Sequence, residues 1–131
     1  MKKYILTITI IAILLSCDIT ENRFIYIENH SNQNIISFIS KKDMNKMSAI
    51  TESDSGADVK TNNFGTINPV RIRWEQYFKS CEDGKIRIYI IKEDSIIKYG
   101  MANILKKNIY NKKYLYSIED LEKINWKIKY K

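Results

Sequence analysis

Lys85-Ile86-Arg87-Ile88-Tyr89-Ile90-Ile91-Lys92 carries the clearest structural signal in the chain. Ile86, Ile88 and Ile90 fall on one side of an extended backbone, Arg87 and Tyr89 on the other. β-Branched and aromatic residues at this spacing suit a pleated surface better than a helix. The same pattern recurs in Trp126-Lys127-Ile128-Lys129-Tyr130-Lys131, with Trp126, Ile128 and Tyr130 as the inward set. Upstream, Arg23–Glu28 and Asn34–Ser40 are two more apolar runs. The polar stretch between them reads as a slightly long loop closing a β-hairpin. Val70-Arg71-Ile72-Arg73-Trp74 alternates as well.

Helical signals are shorter. Trp74, Tyr77 and Phe78 stand at i, i+3, i+4, a single turn that Gly84 closes. Asp94 is positioned to cap a helix from Ser95, which Gly100 interrupts and Met101–Lys107 resumes. Tyr114–Tyr116 reads as a short strand. Ser117-Ile118-Glu119-Asp120 has the spacing of a capping box. Residues 41–66 form a long polar loop that either hides a short element or carries a binding surface.

The expected fold is therefore mainly β, an antiparallel β-sandwich or rolled sheet with two or three short helices, with α+β as the alternative. Its core should hold Phe24 or Ile25, Phe38, Ile72, Trp74, Ile86, Ile88, Ile90, Leu121, Trp126 and Ile128.

Length and composition bound this reading. At 131 residues, with 44% hydrophobic and 28% charged side chains, the chain is one globular domain and not a disordered one. Two Cys and one His exclude zinc ribbons, iron–sulfur sites and disulfide scaffolds. The net charge is +7, but Ile (25), Lys (18) and Asn (12) dominate the composition. All three have AT-rich codons, so basicity is weak evidence for an anionic partner.

The amino terminus gives an address. Lys2 and Lys3 precede Tyr4–Leu15, an uncharged run shorter than the ~20 apolar residues of a spanning helix. Leu14-Leu15-Ser16-Cys17 then closely resembles the lipobox of bacterial lipoproteins. That resemblance implies a diacylglycerol on the Cys17 thiol and cleavage before it. Residues 1–16 would be the signal peptide, 17–22 a lipidated tether, and 23–131 the folded domain. The expected location is the cell envelope, on the outer membrane or the periplasmic side of a membrane. Cys81, the remaining thiol, sits beside two acids and reads as inert.

A second resemblance lies at the other end. Tyr116-Ser-Ile-Glu-Asp-Leu-Glu-Lys-Ile-Asn-Trp-Lys-Ile-Lys-Tyr130 is similar to the closing segment of a family of small Bacteroidetes lipoproteins. Those chains end in Ser-Leu-Glu-Asp-Leu-x-x-Leu-Asn-Trp-Thr-(Ile/Val/Leu)-Thr-Tyr-Pro. Ile90–Ile96 and the Asn29–Asn32 turn are similar to the family too. Lys127 and Lys129 replace its two Thr, and Lys131 its Pro. The resemblance implies a compartment and an architecture, and no activity.

Chemistry is sparse. His30 lies in a polar turn with no acid at triad spacing, so no Ser-His-Asp set is assembled. Asp54-Ser55-Gly56-Ala57-Asp58 lacks the third acid and closing Glu of a calcium loop. No metal, cofactor or catalytic residue is assigned. The remaining set is Arg71, Arg73, Arg87, Lys127, Lys129 and Lys131, the outward members of alternating strands. On neighbouring strands they would form a basic face toward anionic lipid or acidic glycan. As plain solvated residues they would serve to block edge-to-edge aggregation. Nucleic acid is not an expected partner of an exported chain. The expected role is a non-enzymatic binding or structural envelope module. The rivals are a small envelope-polymer hydrolase and an immunity-type inhibitor.

Overall fold

The computed structural model describes residues 22–47, 55–69 and 72–131. Seven strands run in chain order: β1 (Ile25–Asn29), β2 (Ile35–Ser40), β3 (Ser55–Val59), β4 (Asn63–Ile67), β5 (Ile86–Lys92), β6 (Lys112–Tyr116) and β7 (Lys127–Tyr130). Four short helices accompany them: α1 (Trp74–Lys79), α2 (Glu93–Tyr99), α3 (Met101–Lys106) and α4 (Ile118–Lys123). Two 3-10 turns cover Met44–Lys46 and Glu82–Gly84. The fold is mainly β with short helices, as the strand patterns predict.

The strands form two sheets. Sheet A has the order β4-β1-β7 and sheet B the order β3-β2-β5-β6. Every described pairing is antiparallel except β1 with β7, which is parallel. The main core lies between the sheets. Ile25, Ile27, Ile67 and Ile128 of sheet A meet Ile35, Ile39, Val59, Ile86, Ile88 and Ile90 of sheet B, with Trp74, Tyr77, Leu121 and Trp126 closing the ends. A smaller second core occupies the far face of sheet B, where Phe38, Tyr89 and Ile91 pack under Met44, Met47 and Ile104. The central strands β2 and β5 of sheet B are thus covered on both faces, by sheet A and by the α2–α3 layer, while the edge strands β3 and β6 are largely exposed. Of the expected core residues, Ile72 is only partly buried and Phe38 belongs to this second cluster.

Several expectations are corrected. β1 and β2 do not form a hairpin; each pairs with other strands, in different sheets. The cause is Asn29, buried at the end of β1. Its Nδ2 donates to the Gln33 and Val59 carbonyls, and its Oδ1 accepts from the Ser31 amide and hydroxyl. That asparagine-locked turn carries the chain from one sheet into the other. The polar 41–66 stretch holds the Met44–Lys46 turn, β3 and β4. β3 and β4 join through Lys60–Asn62, with Asn62 left-handed at φ 56°, and they too belong to different sheets. Gly65 lets them approach, since a Cβ there would lie 2.7 Å from Val59 Cγ2. Ile72 and Arg73 are not strand but lead into α1, with Arg73 as its N-cap residue. Asp94 caps nothing; α2 begins at Glu93, and Asp94 accepts a hydrogen bond from Gln33 instead.

The carboxyl-terminal segment follows its sequence closely. Ser117 Oγ accepts from the Asp120 amide, and the Asp120 carboxylate accepts from the Ser117 amide. α4 ends in a Schellman motif: the Trp126 amide donates to Leu121 O and the Asn125 amide to Glu122 O. α3 ends the same way, through Ile109 to Ile104 and Asn108 to Leu105. Asn108 and Asn125 take the left-handed positions usually given to Gly. Trp126 itself has φ 60°, a costly conformation for a bulky residue. Its ring packs 5.3 Å from Trp74, with the Arg23 guanidinium 5.1 Å from its centre, so burial holds the turn in place.

Candidate functional site

The residues singled out in the sequence do not converge. Cys17 and Arg71 lie outside the described residues. Arg73 is exposed at the start of α1. Arg87, expected on a solvent face, is 4% exposed. It faces the second core side of β5 because the α2–α3 layer and the Met44–Lys46 turn close over that face. Lys127 and Lys129 are exposed on the outer face of sheet A, and Lys131 follows them.

Arg87 is instead the centre of a structural ion cluster. Its NH1 donates to the Glu82 and Lys85 carbonyls at 2.7 Å and to Asp83 Oδ1 at 2.8 Å. Asp43 and Glu82 carboxylate oxygens stand 3.7 and 3.6 Å from its other nitrogens. Burial alone would lower the guanidinium pKa, but Asp83, Asp43 and Glu82 carry it above its ordinary value. Asp43 also accepts from Lys113 Nζ at 3.0 Å. That bond holds its carboxyl below the usual range against the opposing effect of burial, with Arg87 and Tyr89 assisting. Burial pushes the Tyr89 hydroxyl up to about 12; it accepts from the Met44 amide at 2.8 Å. The cluster welds the Met44–Lys46 and Glu82–Gly84 turns to sheet B.

A cleft of about 640 Å³ lies beside it, lined by Ser40, Lys41, Lys42, Lys46, Ser80, Cys81 and Glu82. Its polar groups satisfy one another. Lys46 pairs with Glu82, Ser40 Oγ donates to Lys42 O, and Ser80 Oγ to Tyr77 O. Cys81 is buried with its sulfur 3.4 Å from the Tyr77 carbonyl.

The outer face of sheet A is different. Strand register sets its side chains in two rungs: Thr66, Tyr26 and Lys127, then Phe64, Glu28 and Lys129. Of these, Tyr26, Glu28, Phe64 and Lys127 frame a groove of about 560 Å³ with His30, Asn62 and Asn63, within the usual range of ~300–1,000 Å³ for ligand sites. The Tyr26 and Phe64 rings lie 6.3 Å apart, tilted at 46°. Phe64 is 60% exposed, which is unusual for a large apolar side chain at a strand position. Glu28 Oε2 is 3.2 Å from His30 Nε2 and 4.0 Å from Lys129 Nζ. The residues missed from sequence are Tyr26, Glu28 and Phe64. Alternation in β1 gives the first two as outward neighbours, but Phe64 sat in a stretch read as loop.

Among the described residues, no group of three or more His, Cys, Asp or Glu is arranged to hold a metal ion. No described helix is long and apolar enough to cross a membrane. No protein-family model, curated protein or solved structure matches the chain.

Proposed function

We propose that the chain is an exported lipoprotein, anchored through acyl chains on Cys17, whose folded domain is a binding module of the cell envelope. The lipobox-like Leu14-Leu15-Ser16-Cys17 supports the anchor, and the carboxyl-terminal resemblance to Bacteroidetes lipoproteins agrees with it. Two or three acyl chains, at ~0.8 kcal/mol per buried CH₂, hold a protein at a bilayer firmly. The observation that carries the binding role is the groove on sheet A, an aromatic floor rimmed by polar groups on an uncovered sheet face. Lys127 and Lys129 bias this face toward anionic envelope material, lipid or glycan.

Two measurements test the proposal. Metabolic labelling with a fatty-acid analogue should mark the wild-type chain and Cys81→Ser, and leave Cys17→Ser unlabelled and unprocessed. Persistent label on Cys17→Ser would remove the anchor. Co-sedimentation of a chain beginning at Asp18 with protein-stripped envelope fragments should be strong and should fall when Phe64→Ala is added. Sedimentation indifferent to Phe64 would remove the binding role.

A further inference from the structure

Three features of the groove narrow its ligand. The floor is aromatic and open: the Tyr26 and Phe64 rings lie side by side on adjacent strands, Tyr26 half-buried and Phe64 largely exposed. Aromatic faces carry negative charge density, which attracts the polarised C–H groups of a flat partner. The rim mixes donors and acceptors. Asn63 Oδ1 accepts from the Phe64 amide at 2.8 Å, and its NH₂ supplies donors. Asn62 stands beside it on the turn, and the Glu28 carboxylate supplies acceptors. The third feature is charge. Glu28 is paired with Lys129, whereas no described ion pair includes Lys127, which lines the same groove.

A pyranose ring matches the first two features, with C–H groups on one face and hydroxyls around its edge. A carboxylate on that ring matches the third. We propose that the groove binds a carboxylate-bearing saccharide, a uronic-acid unit, stacked on Phe64 and Tyr26 with its carboxylate toward Lys127. This rests on the reading of sheet A as the ligand-binding face and names the ligand class. An anionic lipid head group is the poorer occupant. It offers no flat apolar face for the two rings.

The test uses the full chain in a polyoxyethylene detergent, which carries no sugar. Short oligomers of galacturonate, glucuronate and mannuronate are titrated by calorimetry, beside their neutral methyl esters and vesicles containing phosphatidylglycerol. At least one acidic oligomer should bind, and its ester should bind at least about tenfold more weakly, a difference of ~1.4 kcal/mol. Phe64→Ala should abolish both. Because Phe64 is largely exposed, this variant should keep the wild-type melting curve. Lys127→Gln should bring acid and ester to equal affinity while leaving ester binding intact. The proposal is overturned if no acidic oligomer binds up to about 10 mM, a free energy weaker than ~3 kcal/mol. It is also overturned if esters match acids, if Phe64→Ala binds normally, or if Phe64-dependent binding is seen with the vesicles alone. Phe64-dependent sedimentation of envelope fragments alongside silent uronates would retire the ligand class and leave the binding module standing.

Discussion

The central strands of sheet B, β2 and β5, are buried on both faces and sheet A is buried on one, and the two use their residues accordingly. On β5 every residue from Ile86 to Ile91 is buried, including Arg87. On β1 burial alternates, and Tyr26 and Glu28 keep contact with water. A charge on sheet B must therefore find partners: Arg87 reaches three carboxylates and two carbonyls at short range. A charge on sheet A is free to meet something outside the molecule, as Lys127 is. Rigidity is concentrated in one sheet, and recognition is available on the other.

Core truncations are the strongest way to break this contrast. Ile88→Ala and Ile91→Ala, on opposite faces of β5, should each cost about 2–5 kcal/mol. Thr66→Ala on the open face of sheet A should stay within about 0.5 kcal/mol. Urea unfolding of the three variants reads this directly, and a mild Ile91→Ala would mean that the α2–α3 layer does not seal sheet B. Next in size is the cationic pair. Arg87→Met should lose about 2–4 kcal/mol, because buried carbonyls lose their donor while the half-exposed carboxylates keep some water. Lys127→Met should be nearly silent in the same assay.

Acid sharpens the comparison further. The Asp43 carboxyl is held below its unfolded value of 3.8 by Lys113. Its contribution is complete above that value and is lost as pH falls through the lower folded one. The urea midpoint should drop below pH 3.8, and Asp43→Asn should flatten that drop while lowering the neutral-pH plateau. A small effect of opposite sign is expected at Ser37, whose hydroxyl is buried on β2 with no hydrogen-bond partner. Ser37→Ala removes an unsatisfied group and should be neutral or stabilising by up to about 1 kcal/mol. A clear loss of melting temperature there would reveal a hidden partner.

Alternation told which side chains share a face, and this held for β1, β5 and β7. It did not tell whether the second face meets water. Arg87 and Lys127 stand in the same pattern, and only the covering of sheet B by distant helices separates them. Local chemistry was legible where one segment satisfies itself, as in the Ser117–Asp120 box. It failed where partners are remote. The Asn29 turn looks like a hairpin loop until Val59, thirty positions on in sequence, is seen to accept from its side chain. The groove was half legible: Lys127 and Lys129 were marked, but Tyr26 and Phe64 meet only through a strand pairing that no local pattern announces. Cys17 and Arg71 lie outside the described residues, so their expectations stand as they were read.

The parallel pairing of β1 with β7 has a mechanical consequence. Tyr26 donates to Trp126 O and His30 to Tyr130 O, so the two strands run side by side in the same direction. Tension applied between the segment before β1 and the segment after β7 would load these hydrogen bonds in shear, all together, rather than peeling them one by one. A domain tethered at its amino-terminal side and pulled through whatever grips sheet A or its far edge would resist as a unit.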